Sequence, residues 1–283
     1  TSGLFTAIIM SVLAVQLYRL CVKRQWVIKM PEAVPEGVSR SFTALIPAFV
    51  VAITVIFING IFIFMGTDIY KVIAIPFGFV TNITNSLPGI IIIYLLVHAL
   101  WIVGIHGANI VMGLVNPILL TNMSANLDGG SYAFAGEFTN AYVTIGGSGA
   151  TLGLTLFIAF FAKSEQLKML GRAAIGPAIF NINEPIIFGM PVVYNPILAI
   201  PFMLAPIVSA SIAFLAVDSG LVAKNIAQMP WPSPVGIGAF VGTGGDIKAG
   251  ILAVICALVA FAIWFPFVKV YDAKLVKEEQ GAA

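Results

Sequence analysis

The chain has 283 residues, of which 60% are hydrophobic and 9% charged, with a net charge of +2; ordinary soluble domains carry about 25% charged residues. That composition excludes a soluble globular domain and marks an integral membrane protein, and so small a net charge, with the basic residues in short clusters, gives no argument for a nucleic-acid partner. Apolar runs of about 20 residues without period-2 alternation exclude an outer-membrane barrel. The expected fold class is an all-α integral membrane protein with transmembrane helices, re-entrant hairpins and a surface amphipathic helix.

The chain opens at Thr1 in an apolar run with no Met, basic n-region or small-residue cleavage site. This predicts an internal start, with N-terminal helices of the complete protein outside the numbered chain. Leu4 to Leu20 reads as a spanning helix, and Arg19 snorkels at its end. Lys23, Arg24, Lys29 and Arg40 then place the connection on the cytoplasmic side. Met30 to Gly37 is turn-rich, Val38 to Leu45 reads as a short amphipathic helix on the membrane surface, and Phe49 to Phe64 spans outward.

Thr67 to Asn85 holds Asp68, Lys71, Pro76, Asn82 and Asn85 among aromatics and suits an outer interfacial segment. Leu87 to Val103 is the next helix, breaking at Gly104-Ile105-His106-Gly107. The chain continues through Asn109 and Asn116-Pro117 to a polar loop from Thr121 to Asn140. Ala141 to Ala162 is apolar, but Gly146 to Thr151 is too glycine-rich for an ordinary spanning helix.

Lys163, Lys168 and Arg172 form a second cytoplasmic cluster. A proline-punctuated segment and a helix from about Asn195 to Val217 follow, then loop-like sequence from Asp218 to Lys248, including Gly242 to Asp246. A last helix runs from Ala249 to Val268 to a third cytoplasmic end at Lys269, Lys274 and Lys277. The crossing parity closes only if the Gly146–Thr151 and Asn181–Gly189 regions are re-entrant, which points to a transporter site near the membrane midplane.

Glu184 is the only charged residue between Arg172 and Asp218. A charge at bilayer depth costs roughly 2.5 to 3.5 kcal/mol on the mildest scale, so this carboxylate has a use. Pro185 pushes Glu184 out of helical geometry, and Asn181 and Asn183 flank it on backbone that cannot be a regular helix. Such backbone survives in a membrane only where protein or a watery cavity satisfies it.

His98 and His106 are the two histidines, about 80° apart on an ideal helix. His98 follows a regular apolar run and reads as a satisfied structural histidine. His106 sits between Gly104 and Gly107, where a ligand can approach the backbone closely, and reads as functional. A His and a Glu are too few for a metal. No Ser-His-Asp arrangement is present, and no second membrane-buried carboxylate stands ready to pair with Glu184. Cys21 and Cys256 read as inert packing residues. No cofactor is expected.

A sugar ring presents hydroxyls that donate and accept together, and an apolar C–H face that an aromatic ring covers. The matching set is Glu184, Asn181, Asn183, His106, Trp101 and Trp231, although either Trp could instead be an interfacial belt residue. The glycine clusters at Gly146 and Gly242 fit neither nucleotide-binding motif.

The segments Met30–Phe49 (MPEAVPEGVSRSFTALIPAF), Trp101–Asn109 (WIVGIHGAN), Asn116-Pro117, Gly146–Thr151 (GGSGAT), Asn181–Met190 (NINEPIIFGM) and Gly242–Asp246 (GTGGD) resemble the enzyme IIC component of a bacterial sugar phosphotransferase system, in its lactose/cellobiose/diacetylchitobiose branch. The resemblance implies a homodimeric, multi-pass permease of the bacterial inner membrane. It places Glu184 and His106 among the sugar ligands and makes them the candidates for any catalytic role. It implies that residues 1–66 end an N-terminal scaffold and dimer region and that residues 67–283 bind and carry a disaccharide. A phosphocysteine on a separate IIB partner, charged by IIA upstream, would phosphorylate the sugar, leaving open whether this chain counts as an enzyme. The alternatives are an ion-coupled secondary sugar transporter in which Glu184 titrates, and a regulatory or structural membrane subunit.

Overall fold

The computed structural model describes residues 3–31, 34–73 and 83–281, and every regular element among them is helical. They fall into two compact units, Thr1–Val80 and Thr81–Ala283. Five helical stretches among the described residues are long and apolar enough to cross a membrane: Thr6–Lys23, Glu36–Phe64, Ala108–Leu127, Pro196–Asp218 and Ile247–Gly281.

In the first unit, α1 (Gly3–Lys23) and α2 (Glu36–Phe64) pack against each other. α2 runs unbroken through Pro47, so the segment read as a separate surface helix is continuous with the following span. Proline removes one i→i−4 hydrogen bond, a loss that a 29-residue helix absorbs. Phe49, Ile56 and Phe57 stand exposed on α2, which suits hydrocarbon and not water. The Met30–Gly37 turn and the Thr67–Asn85 interfacial segment lie partly outside the described residues.

The second unit begins with α3 (Leu87–Ile102), where Ser86 accepts the Gly89 amide at the N-cap and Pro88 occupies the first turn. A wide π turn over Ala108–Met112 leads into α4 (Gly113–Leu127), and a second spans Thr139–Val143. α4 absorbs Thr121–Leu127, so the expected polar loop starts only at Asp128. α5 (Leu152–Phe160) and α6 (Glu165–Ile179) are both too short to cross a bilayer. They pack as a hairpin, followed by the short α7 (Glu184–Gly189).

α8 (Pro196–Asp218) is the central helix, with a cap in which Asn195 accepts the Ile197 and Leu198 amides. α9 (Ile237–Gly242) interrupts the stretch read as loop, and α10 (Ile247–Gly281) extends 13 residues past Val268 to include the charged tail. Ala205, Ala210 and Ala213 of α8 are fully buried. Ser209 Oγ of α8 lies 3.3 Å from the Cys256 carbonyl of α10. Small residues bring helix backbones close enough for such contacts. Cys21 and Cys256 are both buried and free of disulfides.

Three constraints fix the α5–α6 hairpin. A Cβ at Gly171 would lie 2.5 Å from the Ala159 backbone nitrogen, so the two helices meet backbone to backbone, and Gly153 sits equally tightly against Phe261 of α10. At the far end, Asp272 of α10 accepts the Lys163 and Ser164 amides, and Glu279 accepts those of Glu165 and Gln166. The amides at the start of a helix have no intrahelical partner, and here the last helix of the chain supplies one.

Candidate functional site

At the other end of the hairpin, the loops entering α5 and leaving α6 lie together. α6 ends in a Schellman arrangement: the Ile182 amide reaches the Pro177 carbonyl and the Asn181 amide reaches that of Ala178. Asn181 takes the left-handed position, with φ +62°, which Asn tolerates better than most residues. Its side chain then holds the surroundings. Oδ1 accepts the Gly146 amide at 2.8 Å, while Nδ2 donates to the Trp231 carbonyl at 3.0 Å and the Ser233 carbonyl at 3.2 Å.

Asn183 does the same for the glycine loop, donating to the Ser148 carbonyl at 2.6 Å and to Thr151 Oγ1 at 2.8 Å. Gly147, at φ +97°, is required beside it, because a Cβ there would fall 2.3 Å from the Asn183 carboxamide. Within Asn181–Gly189 the irregular backbone is confined to Asn181–Asn183. Glu184 itself begins α7, and Pro185 occupies the first turn instead of holding Glu184 out of helical geometry, because a proline in that position gives up an amide that has no partner anyway.

These loops wall a cavity of about 600 Å³. All six sequence-predicted residues line it: Trp101, His106, Asn181, Asn183, Glu184 and Trp231. Glu184 and His106 are exposed to it. His106 Nδ1 accepts the Asn109 amide at 3.2 Å, which leaves Nε2 carrying the proton. Its ring lies 4.3 Å from that of Trp101. Trp101 is buried, and its indole N–H has no partner among the described residues. Trp231 is half exposed, on a loop anchored by Asn181.

His98 belongs to the packing. It is fully buried, with Nδ1 2.7 Å from the Tyr94 carbonyl and Nε2 3.1 Å from the Gly149 amide. An amide can only donate, so Nε2 is the acceptor and Nδ1 bears the hydrogen. Trp264 Nε1 donates to the carbonyl of the same glycine.

The expectation that Glu184 has no companion carboxylate is corrected by Glu137, which lines the same cavity. Its Oε2 accepts from Asn140 Nδ2 at 2.6 Å, and its Oε1 accepts from Gln228 Nε2. Burial pushes its carboxyl above the ordinary range, and the Asn140 hydrogen bond draws it partly back. The signal was present in the sequence: Glu137 lies in Phe134-Ala135-Gly136-Glu137-Phe138, a carboxylate among apolar residues, as Glu184 is. Asn109, Asn116, Asn140, Thr144 and Ser148 add further hydroxyl and amide groups to the wall. Among the described residues, no group of three or more His, Cys, Asp or Glu side chains is placed to hold a metal.

Fold and site together define a polytopic helical membrane protein with a polar, aromatic-flanked chamber walled by broken helices. The family described as Phosphotransferase system, EIIC matches residues 1–206, and the chain belongs to it. Over 289 residues the chain is 38% identical to the lichenan permease IIC component of Bacillus subtilis (strain 168), covering 99% of this chain and 64% of that protein. It is 40% identical over 296 residues to the cellobiose-specific EIIC component of Geobacillus stearothermophilus, covering 99% and 65%. The crystal structure of ChbC, the IIC component from the N,N′-diacetylchitobiose-specific phosphotransferase system, superposes with a TM-score of 0.91 at 40% identity, over 99% of this chain and 67% of that one. The chain therefore spans about two thirds of the length of these relatives.

Proposed function

We propose that the chain binds a disaccharide of the cellobiose, lactose or diacetylchitobiose type and carries it across the bacterial inner membrane for phosphorylation by a IIB partner. The observation that carries this reading is the convergence of Glu184, His106, Trp101 and Trp231 on one cavity, in a family whose relatives are named for such sugars. A IIB partner is supported by the lactose-specific EIICB component of Streptococcus mutans, which is 36% identical over 286 residues, 50% of that protein. The name EIICB joins the two functions in one protein.

In this reading residues 67–283 carry the sugar, and residues 1–66 belong to a scaffold through which two copies pair. Glu184 accepts a hydrogen bond from a sugar hydroxyl, His106 Nε2 donates to another, the Trp101 ring backs the imidazole, and Trp231 covers the C–H face of the sugar ring. Asn181 and Asn183, whose amide nitrogens are already engaged, serve the site by holding its wall. In the transfer step the hydroxyl oxygen attacks the phosphorus of the IIB phosphocysteine. The P–O bond forms, the P–S bond breaks and the hydroxyl proton passes to Glu184. Positioning supplies most of the rate in such transfers.

The test is sugar binding by calorimetry on purified Glu184→Gln and His106→Ala variants, with melting temperature measured alongside. Glu184→Gln is expected to lose at least about tenfold in affinity, as the removal of a charge-assisted hydrogen bond implies, and His106→Ala about three- to tenfold, as the loss of a neutral one implies, with melting unchanged within a few degrees. Wild-type affinity in both variants would overturn the site assignment.

A further inference from the structure

The cavity is charged in one direction only. Among the described residues that line it, Glu137 and Glu184 are acidic and none is Lys or Arg. The ion pairs among the described residues are Arg40–Glu36, Lys71–Asp68, Lys168–Glu165 and Lys274–Glu278, so neither cavity carboxylate is neutralised by a cation. Both oxygens of Glu137 accept hydrogen bonds from side-chain amides, Asn140 on one and Gln228 on the other. That arrangement matches the ionised form, which has acceptors only. The lone imidazole, His106, already uses Nδ1 as an acceptor, which is the geometry of a neutral ring.

A neutral disaccharide meets this chamber as a set of hydroxyls and finds acceptors. Its phosphate monoester brings about −1.5 to −2 charges at neutral pH into a space with two uncompensated carboxylates and a dielectric below that of water, where like charges repel across several ångströms.

We propose that Glu137 is a specificity-determining residue: together with Glu184 it gives the sugar chamber a net negative charge that admits the neutral disaccharide and rejects its phosphate ester. This rests on the transport reading above and adds a direction to it. Once the phosphoryl group has been transferred, the site that held the sugar no longer holds the product. Gln228, which tethers the Trp231 loop to Glu137, contributes position but no charge.

The experiment measures dissociation constants by calorimetry on the full chain in detergent. Cellobiose, lactose and N,N′-diacetylchitobiose are titrated first, then the 6′-phosphate of whichever binds, the primary hydroxyl being the least hindered acceptor. The wild-type protein is expected to bind the phosphate at least about tenfold more weakly than the sugar. In Glu137→Gln that ratio falls by about threefold or more, and in Gln228→Ala it stays at the wild-type value. A wild-type ratio in Glu137→Gln overturns the proposal, and so does a Gln228→Ala ratio that collapses equally, since the tether would then be the cause. If Glu137→Gln does not fold, salt carries the test: the wild-type ratio must shrink between about 0.02 M and 0.5 M salt as screening sets in, and an unchanged ratio overturns the proposal. Wild-type protein that binds none of the three sugars overturns the transport reading itself, a separate failure.

Discussion

Gly149 donates its amide hydrogen to Nε2 of His98 across 3.1 Å, although 51 residues separate them. The imidazole thereby fastens the glycine-rich loop to the middle of α3, while its other nitrogen is satisfied within its own helix by the Tyr94 carbonyl. His98→Ala leaves a cavity beside Phe202, whose ring packs edge-on at 5.2 Å, and strands the Gly149 amide. The expected cost is about 2 to 4 kcal/mol, read as a lowered denaturant midpoint or melting temperature. A variant as stable as wild type would mean that the loop does not depend on this bond.

Gly147→Ala tests the loop from its other side. The added methyl collides with the Asn183 carboxamide, 2.3 Å away, at a backbone φ of +97° that L side chains avoid. Asn183 then loses its hold on Ser148 and Thr151, and Glu184, one residue on, loses its orientation. Sugar affinity is expected to fall at least about tenfold, measured by calorimetry. Retained affinity would show that Glu184 is positioned by something other than this contact.

Asp272→Asn probes the opposite end of the hairpin. The carboxylate accepts the amides of Lys163 and Ser164 at 2.9 to 3.1 Å. The carboxamide replaces one acceptor oxygen by a donor facing another donor. A loss of about 1 to 3 kcal/mol follows, visible as faster amide hydrogen exchange at the start of α6. Unaltered exchange there would contradict the cap.

Glu137 sets a pH dependence. Burial raises its carboxyl above the ordinary value of 4.5, so the folded protein holds this proton more tightly than the unfolded chain. Its contribution to stability is complete below pH 4.5 and is lost as pH rises through the raised value. Melting temperature scanned upward from about pH 4 should decline more steeply in wild type than in Glu137→Gln. Parallel curves would exclude Glu137 as the source.

Much of this was legible in advance, and the exceptions have physical causes. Leu87–Ile102 and Pro196–Asp218 follow from hydropathy, and the structure adds their caps, Ser86 and Asn195. Glu184 and His106 stand out because charge and imidazole are rare in apolar sequence. Val38–Leu45 reads as a separate surface helix because Ser39, Arg40, Ser41 and Thr43 set it off from the apolar run that follows, yet both belong to one continuous helix, Glu36–Phe64. The work done by Asn181 and Asn183 was not legible, since their partners lie 32 to 52 residues away. No spacing rule encodes contacts at such separations. Glu137 lies in a stretch that reads as polar loop from sequence, although its neighbours Phe134 and Phe138 are fully buried.

The side chain of Asn181 bonds at once to Gly146, Trp231 and Ser233, so one carboxamide rivets its own turn, the Gly146 loop and the Trp231–Ser233 loop into a single plate. Exchanging one of those stretches for a relative's, in order to change the preferred sugar, would pull the rivet from the other two. Grafts between such permeases should therefore succeed when both loops travel with the asparagine, and fail when they are moved one by one.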